Sequence, residues 1–379
     1  MKKSLSVATA VAALAIALAG CGSKPTTPTA GDNASPTASA SATESGGDAT
    51  RGNGTKACMV SDSGGFDDKS FNQTAYKGLQ DAVTQVGVTE AKVQSSTDAD
   101  YAKNISAMLN QDCQAIVTVG WKLGDATKTA AKKNKDVYFP IVDYNDPDMA
   151  AIDNIRPLVF DTAQAAFLGG YLAAGMTKSG VVGTWGGDKI STVTIFMDGF
   201  SEGIDYYNKQ KSKDVKLVGW NAATQSGVFI GGKNAFIDSS TGQSKTRSLM
   251  SQGADIVMPV AGTSGEGALQ AAKSSGGKLS IIWVDTDGYV SAPTYKAQIL
   301  STVYKAMDLA VTKAITDVVD DKFDNTPYVG TLENDGVGLS PFHDFDGDVP
   351  AELKSELEQA KADIISGQIP IKSEASPDS

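Results

Sequence analysis

The stretch Lys56–Gln73, KACMVSDSGGFDDKSFNQ, decides how the rest of the chain is read. It opens on a short apolar run (57–61) of strand character, passes through a Gly- and Asp-rich loop, and enters a helical stretch over 72–86. Outward from there the same alternation recurs. Further strands are expected at 91–95, 115–119, 137–142, 181–185, 192–196, 215–220, 255–260 and 279–285. Helices are expected at 100–111, 124–134, 162–176, 199–210, 244–252, 265–275, 302–320 and 350–366. A βαβα rhythm of this kind builds parallel sheets with helices on both faces, and about ten strands are too many for one compact lobe. The fold class expected is therefore α/β, with two doubly wound parallel-sheet lobes.

Crossings between the lobes are expected near Asn154–Pro157, over Asp285–Pro293 and near Asn325–Pro327, with helix 302–320 lying back on the first lobe. The N-terminal lobe is then 56–155 plus 290–325. The C-terminal lobe is 156–289 plus 326–370, followed by a disordered tail at 371–379. Such proteins bind ligands in the crevice at the strand C-termini. Attention therefore falls on 61–72, 120–125, 143–147 and 285–289.

Composition narrows the function. With 33 basic and 44 acidic residues among 379, the formal charge is −11, and no basic field exists to hold a nucleic acid. The single histidine, His343, argues against histidine-ligated metals and against Ser-His-Asp chemistry. No cofactor, metal or enzymatic activity is expected.

Lys2 and Lys3 precede an apolar run over 7–19, long enough for a signal peptide and too short to span a bilayer. It ends in Leu18-Ala19-Gly20-Cys21, which resembles a bacterial lipobox. That implies a signal peptide over 1–20, lipidation of Cys21 and anchoring at the extracytoplasmic face of the cell membrane. Residues 21–55 are rich in Ser, Thr, Ala, Pro and Gly and read as a disordered tether. Outside the cytoplasm the remaining cysteines, Cys58 and Cys113, are expected to pair. They lie at the starts of strands that would be neighbours in a sheet of order 2-1-3.

Three near-motifs carry no function. Gly227–Asn234 falls short of a phosphate-binding loop because Asn234 stands where a hydroxyl is needed. Asp344–Val349 begins like a calcium loop but lacks its sixth-position glycine. Gly262–Gly265 lacks the spacing of a nucleophile elbow.

Several stretches together resemble the basic-membrane-protein (PnrA-like) lipoproteins. They are Ser61–Gln73, Ala166–Ala174, Gly186-Gly187, Gly199-Phe200, Gln252–Ile256, Val260–Gly262 and Trp283–Asp285. The resemblance covers roughly 56–370, and its Asp-Asp-Lys-Ser-Phe-Asn element is the most specific part. It implies a type I periplasmic-binding-protein clamshell with a three-strand hinge. It also implies a nucleoside ligand, purine favoured, and delivery to an ABC permease and ATPase complex by a monomeric receptor.

By that resemblance the base stacks between Phe71 and Phe236, one from each lobe. Asn72 or Ser70, and Asp143, hydrogen-bond the base. Asp285 takes the ribose hydroxyls and Lys305 also reaches the ribose. Asp62 and Gly262 join the ligand-binding set, and Trp121 is placed at the cleft by its position just past a strand. The chemistry is coherent, since flat heterocycles stack on aromatics and a carboxylate accepts strongly from vicinal hydroxyls. Structural alternatives stand beside it: Phe71 as a core residue of its helix, Phe236 as a loop anchor, Asp143 as a turn cap, Asp285 at a hinge, Lys305 on a solvated helix face, and Asp62 as a loop-orienting group. A sugar receptor, or a sensor acting on a membrane kinase, is the alternative function.

Overall fold

A computed structural model describes residues 49–377. The expected signal peptide, Cys21 and most of the expected tether lie outside the described residues. Along the chain run β1 (Lys56–Ser61), α1 (Phe71–Val86), β2 (Thr89–Gln94), α2 (Tyr101–Leu109), β3 (Ala115–Val119), α3 (Gly124–Lys133), β4 (Phe139–Val142) and β5 (Ile155–Phe160). Then come α4 (Thr162–Met176), β6 (Val181–Gly186), α5 (Ser191–Lys211), β7 (Lys216–Val218), β8 (Trp220–Asn221), β9 (Ser226–Gly227), α6 (Ser239–Ser251), β10 (Ile256–Val260), α7 (Glu266–Ser274) and β11 (Ser280–Asp285). The chain closes with α8 (Gly288–Ser291), β12 (Ile299–Lys305), α9 (Met307–Val319), β13 (Tyr328–Gly330), β14 (Val337–Leu339) and α10 (Ala351–Ile365).

The strands form two six-stranded sheets, ordered β13-β5-β4-β3-β1-β2 and β14-β12-β11-β10-β6-β7. Within these two sheets every pairing is parallel except β12 with β14, and β8 and β9 form a separate antiparallel pair. Strands covered on both faces should read as continuous apolar runs. Ala57–Val60 and Ala115–Val119 do, and all are fully buried. The sheet order brings β1 beside β3, and a disulfide joins Cys58 to Cys113 with the Cα atoms 6.0 Å apart.

The hinge differs from the expected boundaries. β5 belongs to the first sheet, so the first crossing follows it at Asp161, not at 154–157. Residues 302–305 are the end of a strand in the second sheet and not the start of a helix, so 290–305 belongs to the second lobe. The second crossing is therefore at Ala306. β13 lies in the first sheet and β14 in the second, which moves the third crossing to 331–336. α9 does return to the first lobe, where a Cβ at Gly78 of α1 would fall 2.5 Å from Asp308 O. The glycine allows the two helices their close approach.

The described parts of both expected disordered ends are tied to the body. Within 49–55, Gly52 N donates to Val86 O (2.7 Å) and Arg51 pairs with Asp320 (3.4 Å). In the C-terminal segment, Ser373 Oγ donates to Asp198 (2.7 Å) and Ser376 Oγ to Asp161 (2.8 Å). The expected strand 192–196 is the opening of α5. α4, almost wholly buried, packs on α5 with glycines at the contact: a Cβ on Gly170 would collide with the Phe200 backbone, and one on Gly199 with Ala163.

Candidate ligand-binding cleft

The loop after β1 is organised by two carboxylates. Asp68 Oδ1 accepts the backbone N–H groups of Ser70 and Gln73, both at 3.0 Å, and its Oδ2 accepts that of Asn72 at 2.8 Å. It thereby caps α1 from three residues before the helix, satisfying donors the helix itself leaves open. Asp62 Oδ1 accepts from Gly64 N (3.0 Å) and from Asn72 Nδ2 (2.9 Å). Asn72 Nδ2 also donates to Asp68 Oδ2 (3.1 Å). Both amide protons of Asn72 are thus committed to carboxylates, which fixes the orientation of the group.

Asn72 Oδ1 is left without a partner, although the residue is only 2% exposed and lines the cleft. A buried acceptor left unsatisfied costs about 1–3 kcal/mol. Burial pushes the Asp62 carboxyl above its ordinary value and that of Asp68 up to about 7, against the hydrogen bonds each accepts.

A second polar cluster sits at the ends of three strands. Asp143 follows β4, Asp285 ends β11 and Lys305 ends β12. Both aspartates have left-handed backbones, φ 59° and 73°, a conformation that sharp exits from strands demand and that Asp tolerates better than most residues. Lys305 Nζ donates to Asp143 Oδ2 (2.5 Å) and lies 3.4 Å from Asp285 Oδ1. Ser70 Oγ donates to Asp285 Oδ2 (2.5 Å). Burial alone would lower the Lys305 pKa, and the two carboxylates more than reverse it, so the ammonium stays charged although the residue is 3% exposed. For Asp143, burial pushes the carboxyl up and Lys305 opposes it.

Because β12 belongs to the second sheet, the Lys305–Asp143 pair joins the lobes, as does Ser70–Asp285. Lys305 lies neither on the first lobe nor on a helix face. The rim holds further cross-lobe contacts. Lys69 Nζ pairs with Glu266 Oε1 of α7 (3.0 Å), while Lys69 O accepts from Trp283 Nε1 (3.2 Å) and Ser291 Oγ (3.0 Å).

The aromatic groups flank these polar clusters. Phe71, the first residue of α1, lies with its ring centroid 4.7 Å from Lys305 Nζ. Phe236 enters from the second lobe, in the segment between β9 and α6, its ring seated against Gly187, where a Cβ would collide with it. Gly262, at φ 50°, turns the chain after β10 beside the Phe236 backbone.

Of the residues singled out from sequence, Asp62, Phe71, Asn72, Trp121, Asp143, Phe236, Gly262, Asp285 and Lys305 all line one cleft. Ser70 does not. It is fully buried and its hydroxyl is spent on Asp285, so it positions that carboxylate. Phe196 lines the same cleft, with its ring 5.5 Å from Lys305 Nζ, and sequence reasoning missed it because it fell in the expected strand 192–196. Among the described residues no cluster of His, Cys, Asp or Glu could hold a metal ion.

A family model described as "ABC transporter substrate-binding protein PnrA-like" matches residues 55–375. The chain belongs to the PnrA-like substrate-binding family. The "Basic membrane protein A1" of Borrelia garinii subsp. bavariensis is 29% identical over 310 residues, 81% of this chain and 85% of that one. The "ABC transporter nucleoside-binding protein BmpA" of Lactococcus lactis subsp. cremoris is 28% identical over 336 residues, 84% and 89% respectively. An ABC-system solute-binding protein from Aeropyrum pernix K1 superposes with a TM-score of 0.74 at 22% identity, covering 86% of this chain and 94% of that one. The likeness of structure establishes the type I periplasmic-binding-protein fold. For a PnrA-like protein the cleft described above is the place where the fold puts a ligand.

Proposed function

We propose that this PnrA-like receptor captures a nucleoside, purine favoured, between its lobes and delivers it to an ABC permease and ATPase complex. It acts as a monomer tethered through lipidated Cys21 to the extracytoplasmic face of the cell membrane. The observation that carries the nucleoside reading is Asn72 Oδ1, a buried acceptor without a partner at the edge of a cleft lined by Phe71 and Phe236. An N–H on the edge of a heterocycle supplies the missing donor while the ring stacks on the aromatic faces. Asp285 and Lys305 are then placed for ribose hydroxyls, which form stronger hydrogen bonds to charged groups than to neutral ones.

The relative from Lactococcus described as nucleoside-binding supports the reading. At the strand-end cluster a nucleoside is favoured over a nucleotide, because Lys305 is already matched by Asp143 and Asp285 and has no free positive charge for a phosphate. A nucleoside of about 19 heavy atoms at roughly 0.4 kcal/mol each gives about −8 kcal/mol, near micromolar.

Calorimetric titration of unfolded-and-refolded protein tests the proposal, with guanosine, inosine, adenosine, uridine, cytidine and ribose as the panel. Refolding strips any ligand carried through purification. Micromolar or tighter binding of a purine nucleoside, lost in Asp285→Ala and Phe71→Ala, is the expected result. Silence across the panel from folded protein, or tighter binding of a monophosphate than of its nucleoside, refutes it.

A further inference from the structure

A second chamber of about 440 Å³ opens off the cleft toward the hinge. That size lies within the range of about 300–1,000 Å³ typical of small-ligand cavities. Trp121, Asp143, Ile190, Thr192 and Lys305 line both spaces, so the two adjoin at the Lys305–Asp143 pair. The chamber's own walls are Val159 and Phe160 at the end of β5, Ile195 of α5, and Ala375–Pro377 of the C-terminal segment.

The C-terminal wall is anchored. Ser376 Oγ donates to Asp161 Oδ1 (2.8 Å), Ser373 Oγ to Asp198 Oδ2 (2.7 Å) and Lys372 N to Glu202 (3.1 Å). Asp161 is itself the first hinge crossing and is held from the other side by Gln164 Nε2 (2.8 Å). The segment is thus part of the chamber as built.

The lining chemistry limits the occupant. Its charged groups are Asp143 and Lys305, and they neutralise each other. Tyr144 spends its hydroxyl proton on Asp146 (3.0 Å). The other lining groups are uncharged: apolar wall from Phe160, Val159, Ile195 and Pro377, the hydroxyls of Thr162, Ser191 and Thr192, and the Asn145 amide, with the Ser376 hydroxyl already committed to Asp161. A phosphate entering here finds no free cation, and desolvating a dianion without one is costly. An uncharged group loses little and buries apolar surface.

Orientation follows from which residues the two spaces share. Asn72 and Asp285 line the cleft and not the chamber, whereas Lys305 lies at the junction. We place the base edge at Asn72 and the ribose at Lys305 as part of this proposal, an arrangement that turns the sugar's 5′ carbon toward the chamber. Resting on the nucleoside reading above, we propose that the chamber accepts an uncharged 5′ substituent, so that the ligand class extends to neutral 5′-modified nucleosides such as 5′-thioethers.

The test uses the full chain in detergent, with the best-binding nucleoside, its 5′-methylthio and 5′-benzylthio derivatives, and its 5′-monophosphate. The thioethers are expected to bind within about threefold of the parent or tighter, and the monophosphate at least tenfold more weakly. Ala375→Trp, which narrows the chamber from a wall the cleft does not share, is expected to leave the parent's Kd within twofold and weaken the benzylthio derivative at least tenfold. Deletion of residues 375–379 is the second variant, removing the wall without adding bulk, and is expected to erase any thioether advantage over the parent.

Thioethers rejected as strongly as the monophosphate would overturn the proposal while leaving the nucleoside reading intact. Equal effects of both variants on parent and thioether would do the same. Failure of the parent nucleoside itself to bind refutes the nucleoside reading and takes this ligand class with it.

Discussion

Replacing Lys305 by methionine isolates the energetics of the cross-lobe cluster. Methionine keeps most of the side-chain volume, so the change is mainly the loss of one buried charge. What remains are the Asp143 and Asp285 carboxylates, 8% and 6% exposed, of which Asp285 retains only the Ser70 hydroxyl as a close donor. Removing one partner of a buried pair costs about 3–5 kcal/mol, because the other charge is left uncompensated. With a urea m-value of about 3 kcal/mol/M, the unfolding midpoint should fall by about 1–1.7 M.

The assay follows tryptophan fluorescence in urea on protein expressed from residue 49 onward. Trp185 and Trp283 are fully buried in the second lobe, the lobe that holds β12, and report its unfolding. The double variant Lys305→Met with Asp143→Asn removes one of the two unpaired carboxylates, returns the cluster to its original net charge and should recover part of the loss. The defect of the single variant should also shrink as pH falls. Its Asp143 carboxyl, without the lysine, has a folded pKa well above the unfolded value and is stabilised by taking up a proton. A midpoint shift below about 0.3 M, or a double variant no better than the single, would refute the buried-pair account.

Three further outcomes are expected. Lys69→Met or Glu266→Gln should weaken nucleoside binding about two- to fivefold, mostly through a faster off-rate in stopped-flow traces. That corresponds to about 0.5–1 kcal/mol for a partly exposed pair, and the charge-swapped pair Lys69→Glu with Glu266→Lys should restore part of it. Burial raises Asp68 to about 7, above its unfolded value, so its stabilising contribution is fully present below about pH 4 and is lost as pH rises through 7. Urea midpoints should therefore decline from pH 5.5 to 8, and a rise over that window would contradict burial as the dominant influence. Replacing Cys58 and Cys113 by serine opens a loop with a sequence separation of 55 and should cost about 4 kcal/mol in the chain-entropy account, read from the same urea curves.

Much of this architecture was legible in the sequence because parallel strands covered on both faces announce themselves as unbroken apolar runs. The errors fall where that signal fails. Thr192–Phe196 reads as a strand, yet it opens α5, where the buried residues 193–200 are continuous and mask helical periodicity. β5 is missed because Asn154–Pro157 reads as a crossing between the lobes. In the structure Pro157 fits within the strand because β13 pairs only with Leu158–Phe160, leaving Pro157 beyond the end of its partner. β12 was merged into the following helix because its apolar residues run into those of α9 with only Lys305 and Ala306 between. That merger also put Lys305 on the wrong lobe. The site survived these errors: its residues were located by their position after strands and by resemblance, and neither depends on lobe assignment. The unpartnered oxygen of Asn72 was invisible, since it depends on two aspartates, four and ten residues upstream, converging on one amide.

In the proposed function, one segment links ligand capture to lobe closure. Residues 68–72 carry both functions. Asp68 caps α1, Lys69 grips the second lobe at Glu266, Trp283 and Ser291, Ser70 holds Asp285, and Phe71 and Asn72 face the cleft. Moving the lobes apart by even an ångström or two would break those grips and also separate Phe71 and Asn72 from Phe236 and Asp285. A ligand shifts such an equilibrium only by its differential affinity for the two arrangements. Driving a population from 1:99 to 99:1 requires about 5.5 kcal/mol of that difference. Against a total near −8 kcal/mol for a nucleoside, about two-thirds of the binding energy must come from contacts that exist only when the lobes meet. A site confined to one lobe could not supply that share, whereas one divided between the Asn72 side and the Phe236 side can.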